Sequence, residues 1–308
     1  MCASVWPAIL TSATNSGSIS SGPNLQFPKQ PRERIAIASY PFRDFVAGGE
    51  PGQNPNTPKV ELHDFAAHVI SRFNIDKIEP WTGHFPSTDP KYLDQFRTAV
   101  EKAHAQIVNI AVDGEASPYV ADKAEREKAI AYSKHWIDAA VALGSPSLRT
   151  NIPEAKDSKP NKDSKPDLTR LANSLARVAD YATTKNIVVN LENDNPITET
   201  PFFLVQVIEK VNSPWLRALP DFANSVAGGI EHPYEGIDAM FAKAYCISHV
   251  KEMEADSSGK LVHADLAKTF GFLKQHAYQG YCSIEWDSPG DPYQGTADLI
   301  EKTVRFLG

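Results

Sequence analysis

The sequence predicts a single-domain (β/α)8 barrel, a TIM barrel. Three observations carry that expectation. From Arg34 onward, eight short runs rich in β-branched residues alternate with eight longer amphipathic segments. Strict alternation implies a parallel sheet, because parallel strands need a crossover between them. The chain has 308 residues, and such a barrel takes about 250 plus insertions. The competing arrangement, an open doubly wound sheet, lacks support, since no G-x-G-x-x-G or P-loop follows any strand-like run.

The strand-like runs are residues 34–39, 75–79, 107–112, 147–150, 187–191, 216–221, 246–250 and 281–285. The helix-like segments are 59–73, 90–105, 122–143, 167–185, 200–211, 234–244, 263–276 and 292–307. In the first of these, Val60, Phe65, Val69 and Phe73 recur about every four residues, the stripe that a half-buried helix needs. Asp89-Pro90 and Thr200-Pro201 each set a capping residue before a helix-starting proline. Gly144 and Gly280 stand where a helix should stop before the next strand. Two segments break the rhythm. Residues 46–58 (VAGGEPGQNPNTP) and 152–166 (IPEAKDSKPNKDSKP) both follow strand ends, the catalytic face of such a barrel. Each reads as a lid or as a solvated insertion.

Composition bounds the function. Hydrophobic residues make up 42% and charged residues 22%, as in an ordinary globular protein. The net charge of −7 repels phosphate backbones, so nucleic acid is a poor partner. No apolar run reaches the roughly 18 residues of a membrane span. Cys2, Cys246 and Cys282 suggest no disulfide framework, and the last two read as small buried hydrophobes. Residues 1–31 form an apolar stretch followed by a Ser/Gly/Asn/Pro-rich run, which reads as a tail or a leader remnant. No basic residue precedes the apolar stretch, so the tail is the preferred reading and the barrel is expected over 32–308. A cytoplasmic location follows, with export as the alternative if the segment is a leader remnant. A homo-oligomer is compatible with these totals.

Chemistry gathers at the ends of the late strands. The fifth ends in Glu192 (LEN), the sixth in Asp221 (PDFAN), the seventh in His249 (HVKE) and the eighth in Glu285 (SIEW). Each spacing is one βα unit long, so closure would bring all four to one mouth. Three carboxylates held together favour protonation unless a cation joins them. Three carboxylates and one imidazole suit one divalent ion. We expect Mn2+, with Mg2+, Co2+ and Zn2+ as compatible alternatives.

This ordered motif set resembles the xylose isomerase-like (β/α)8-barrel superfamily, and within it the sugar phosphate isomerase/epimerase branch. The resemblance covers about residues 34–307 and rests on the four motifs together. It implies that Glu192, Asp221, His249 and Glu285 bind the metal, and that Glu192 and Glu285 also move the substrate proton from opposite faces. The family's epimerases commonly carry a histidine three residues after the sixth-strand aspartate. Asn224 stands there, which puts the usual ketohexose in doubt.

The expected reaction is isomerisation or epimerisation of a keto-sugar or sugar phosphate. A metal beside the carbonyl stabilises an enediolate, and carboxylates take and return the proton. Further candidates for substrate contact are Lys251, Asn224, Asn190, Glu79, Trp81, His84 and Arg149. Each has a plainer reading as a rim or surface residue. Tyr40 and Phe42 read as sugar contacts or as barrel filling. His63, His68, His104 and His135 fall within helices, away from the chemistry. The same site supports a lyase or dehydratase if the intermediate expels a β-substituent. A sugar-binding protein without catalysis and an abasic-site endonuclease are the remaining alternatives; the latter needs strand-end histidines that this chain lacks.

Overall fold

The β-branched runs form strands, and each pairs with its neighbour along the chain. The computed structural model describes residues 22–48, 58–155 and 166–308. The strands are β1 (Ile35–Ala38), β2 (Lys77–Glu79), β3 (Gln106–Ile107), β4 (Ala111–Val112), β5 (Ser147–Thr150), β6 (Val188–Glu192), β7 (Leu216–Leu219) and β8 (Ile247–Val250). A hairpin of β9 (Met253–Ala255) and β10 (Leu261–His263) follows, and β11 (Tyr281–Ile284) completes the set. Two parallel sheets, in the orders β3-β2-β1-β11-β8 and β4-β5-β6-β7, are joined by bridges at Trp81–Ala111 and Asp221–His249. The result is a closed barrel, because β3 and β4 are two halves of the third strand.

That break is a correction to the continuous run expected over 107–112. Ile78 pairs with Ile107, but Trp81 pairs with Ala111, so the third strand carries one extra residue. A bulge of this kind bends the strand and re-aims its side chains.

The outer ring comprises α1 (Phe65–Phe73), α2 (Pro90–Lys102), α3 (Lys123–Leu143), α4 (Leu168–Lys185) and α5 (Pro201–Val211). It continues with α6 (Asn224–Ala227), α7 (Pro233–Phe241), α8 (Leu266–Gln275) and α9 (Pro292–Leu307). Pro90 and Pro201 open their helices as expected, while Asp122 and Asp167 cap α3 and α4 by accepting from the N–H groups of Glu125 and Arg170. α1 starts later than expected, because Val60 bridges Val46 and a tight turn fills Leu62–Asp64. α8 also starts late, since His263 belongs to the hairpin.

Gly144 ends α3 in the left-handed region. Gly280 has a different role. A Cβ there would lie 2.7 Å from the backbone carbon of Cys246, so the glycine permits close approach of the β11 entry to β8. The folded body also reaches back before Arg32. Phe27 packs edge-on against Tyr245 and Tyr281, and the Leu25 N–H donates to the Tyr245 hydroxyl at the barrel floor. Much of each insertion, residues 49–57 and 156–165, lies outside the described residues, as do residues 1–21 of the tail expected over 1–31.

Candidate metal centre

Each late strand delivers an acidic or imidazole side chain at its C-terminal end. Glu192 closes β6, His249 lies within β8, and Asp221 and Glu285 follow β7 and β11 by two residues and one residue. Around the barrel these four strands are consecutive, so Glu192 and Glu285 flank Asp221 and His249. One donor atom from each of the four lies within 4.8 Å of the others, and all four residues are buried.

The local backbone explains how Asp221 is aimed. Its Oδ1 accepts from the N–H groups of Ala223 (2.8 Å) and Asn224 (2.6 Å), holding the start of α6. Its Oδ2 is buried and has no hydrogen-bond partner among the described residues. A buried carboxylate oxygen without a partner is costly, and a cation at the cluster would satisfy it. The donor set therefore fits a divalent ion. Asn193 clamps the β6 and β7 ends together: its amide donates to the Asp221 carbonyl (3.1 Å) and accepts from the Asp221 N–H (2.8 Å).

Charges in the site are unequal. Burial, reinforced by Glu192 and Glu285 against the pull of Lys251, pushes Asp221 up to about 7. Burial also opposes ionisation of Glu285, but Lys251 and then His249 outweigh it and hold that carboxyl well below the usual range. Lys251 Nζ lies 3.0 Å from Glu285 Oε2. On the other flank, Arg149 Nε lies 3.1 Å from Glu192 Oε2, and Arg149 Nη1 donates to Asp113 at 2.8 Å. Each flanking glutamate thus has its own buried cation.

Above the cluster is a cavity of about 470 Å3. Glu192, Glu285, Trp81, Arg149, Asn224 and Lys251 line it, with Tyr40 from the β1 end. Tyr40 and Trp81 meet edge to face at 5.1 Å. The Lys251 ammonium donates to Asn224 Oδ1 (3.0 Å) and to Glu254 Oε2 (3.1 Å), so the hairpin supplies part of the wall.

Three residues expected at the substrate lie elsewhere. Glu79, Asn190 and His84 are at most 1% exposed and do not line this cavity. Asn190 points into the barrel, where it donates to Asn109 and Leu148 and accepts from the Cys246 thiol, because its parity turns it inward below the mouth. His84 Nδ1 lies 2.8 Å from Ser39 Oγ, behind Trp81. Glu79 contacts His249 from beneath. Phe42 packs against Phe65 and Tyr293 under the helices rather than in the cavity. Of the four histidines set aside, His68 and His135 lie in α1 and α3, while His63 sits in the turn before α1 and His104 takes a left-handed position after α2.

The sequence reading missed Asp113, Asn193, Asp194 and Glu254. Asp113 follows the third strand just as Glu285 follows the eighth, so the strand-end criterion could have found it. Asn193 stood in the quoted LEN motif. Burial, then Glu192, pushes Asp194 up to about 6.

Comparison with known proteins agrees with this architecture. Residues 68–307 match the family model described as xylose isomerase-like TIM barrel. The chain belongs to that family. No sequence among curated proteins matches the chain. Among solved structures, a family protein from Mycobacterium smegmatis in complex with magnesium is similar at a TM-score of 0.65 and 18% identity, over 89% of this chain and 96% of that one. D-allulose 3-epimerase from Methylomonas sp. is similar at 0.68 and 18%, over 92% and 100%. 3-Keto-D-glucoside 4-epimerase from E. coli is similar at 0.62 and 13%, over 88% and 98%. At these identities the likeness establishes the fold. No helix among the described residues is long and apolar enough to cross a membrane.

Proposed function

We propose that this family member is a divalent-metal-dependent enzyme that isomerises or epimerises a keto-sugar. The observation that carries the reading is the buried Glu192–Asp221–His249–Glu285 cluster, with Asp221 Oδ2 lacking any hydrogen-bond partner among the described residues. A bound divalent ion would supply positive charge beside the oxyanion that develops when a proton leaves the adjacent carbon. Glu192 and Glu285 reach the cavity from opposite sides of the cluster. One takes the proton and the other returns it, which inverts or moves the centre. Arg149 and Lys251 hold these carboxylates in place. Tyr40 and Trp81 offer an apolar wall to the C–H face of a sugar.

Both cavity cations already face carboxylates, and Asp113, Asp194, Glu254 and Asp287 add negative charge to the lining. This favours an uncharged keto-sugar over a sugar phosphate. A lyase outcome needs the same proton abstraction, followed by loss of a β-substituent. Lys251, an ammonium in the cavity wall, is the donor that would assist that departure.

Product analysis on ketoses and keto-glycosides, each with its phosphate ester, tests the reading with Mn2+-loaded protein. Epimerised or isomerised sugar, lost on chelation, is the expected outcome. Unsaturated or dehydrated product would move the assignment to the lyase. No conversion of any compound by metal-loaded protein would remove it.

A further inference from the structure

His249 offers one ring nitrogen to the cluster and the other to the barrel interior. Nδ1 lies 2.7 Å from Glu192 Oε1, whereas Nε2 lies 3.1 and 3.0 Å from the two carboxylate oxygens of Glu79. Both His249 and Glu79 are wholly buried. Glu79 ends β2, with β1 and β11 between it and β8, so its side chain reaches across the barrel to the histidine.

Glu79 is itself fixed from behind. Asn109 donates to Glu79 Oε1 at 2.6 Å. Asn109 lies in the stretch between β3 and β4 that carries the extra residue. Its Oδ1 accepts from Ser147 Oγ (2.6 Å) and from Asn190 Nδ2 (3.3 Å). An ionised carboxylate is costly to bury unless donors surround it. Here a ring N–H and an amide N–H do so. Since Glu79 does not line the cavity, substrate contact does not account for it.

We propose that Glu79 is a positioning residue for the metal centre: it accepts the Nε2–H of His249, and so fixes the tautomer and ring angle that leave the Nδ1 lone pair free for the ion. The bulge in the third strand then has a purpose, since it sets Asn109 behind Glu79. The proposal rests on reading the four-residue cluster as a metal site. Outer carboxylates of this kind are worth about 10- to 100-fold in metal affinity.

The test is Mn2+ titration of the unaltered protein, Glu79→Gln and Glu79→Leu, alongside the thermal midpoint of each metal-free protein. Glutamine keeps an acceptor oxygen and loses the charge, whereas leucine loses both. Affinity should fall in that order, by about 10-fold and then about 100-fold. A merely structural role would lower the midpoints and leave the affinity of the folded protein unchanged. That result would overturn the proposal and leave the metal site standing. Absence of metal uptake by the unaltered protein would overturn both. A second measurement needs no variant of Glu79. In 15N-histidine spectra of the Zn2+-loaded protein, the His249 ring should carry its proton on Nε2, with Nδ1 unprotonated. The opposite tautomer would overturn the proposal.

Discussion

At the residue scale, the site is built from pairs with distinct duties. Glu192 and Glu285 face the cavity, and each has a cation behind it. Glu192→Gln and Glu285→Gln should each lower turnover by about 10²- to 10⁴-fold, the usual worth of a general acid or base. Steady-state rates on the first accepted sugar check this, and full activity in both variants would refute the roles. Arg149→Met should be costly in another way. It leaves Glu192 and Asp113 without their shared buried cation, and such losses run to about 3–5 kcal/mol. Denaturant melts would show it. His84 gives a pH signature away from the Glu192–Asp221–His249–Glu285 cluster. Burial, then Arg43 and Lys59, pulls His84 down to about 4. An unfolded histidine titrates near 6.5, so below that pH the unfolded chain binds a proton that the folded chain refuses. Stability should therefore be fully present above about pH 6.5 and fall toward pH 4 by up to about 3 kcal/mol. His84→Gln should flatten that arm, as read by melts across the range.

The four cluster positions were legible as residues because each follows an apolar run directly, and spacing by whole βα units then sets them on one rim. Glu79 and Asn190 read the same way, as polar groups at strand ends. Whether such a group faces the cavity or the barrel interior depends on which neighbouring strand offers a partner, and the sequence alone does not show pairing. Asn190 is satisfied by Asn109, which sits in an unforeseen bulge.

At the element scale, strands and helices followed from periodicity and caps, whereas register did not. The bulge is invisible in the run IVNIAV, because an extra residue is defined only against the partner strand. The β9–β10 hairpin had a signal that went unread. In Asp256-Ser-Ser-Gly259, the Asp256 carboxylate accepts from the N–H groups of Ser258 and Lys260, and Gly259 takes a positive φ. Gly280 tests strand contact directly. An added Cβ would meet the Cys246 backbone at 2.7 Å and would also collide with the Tyr278 hydroxyl. Gly280→Ala should destabilise the protein by about 1–3 kcal/mol, the usual cost of overpacking, and a shift in denaturant midpoint measures it.

At the scale of the whole molecule, the barrel collects polar groups that no single βα unit could hold. The cluster, the cavity above it and the polar ladder beneath all lie along the barrel axis. Metal should therefore stabilise the fold as well as the chemistry. At about 100 times its Kd, a ligand that binds only the folded state adds about 2.7 kcal/mol, so Mn2+ should raise the melting temperature by several degrees. Asp221→Ala should abolish that shift, because it removes a buried cluster oxygen that has no hydrogen-bond partner among the described residues.

Proton abstraction beside a sugar carbonyl is the step on which the proposed function turns, and solvent deuterium reads it whatever the product. Mn2+-loaded protein would be incubated in D2O with the panel of keto-sugars and keto-glycosides, the ion then removed, and the carbon next to each carbonyl read by NMR. Deuterium at that carbon is expected in at least one compound, lost with chelator and in Glu192→Gln or Glu285→Gln. No deuterium in any compound, from protein shown to hold its metal, would contradict it.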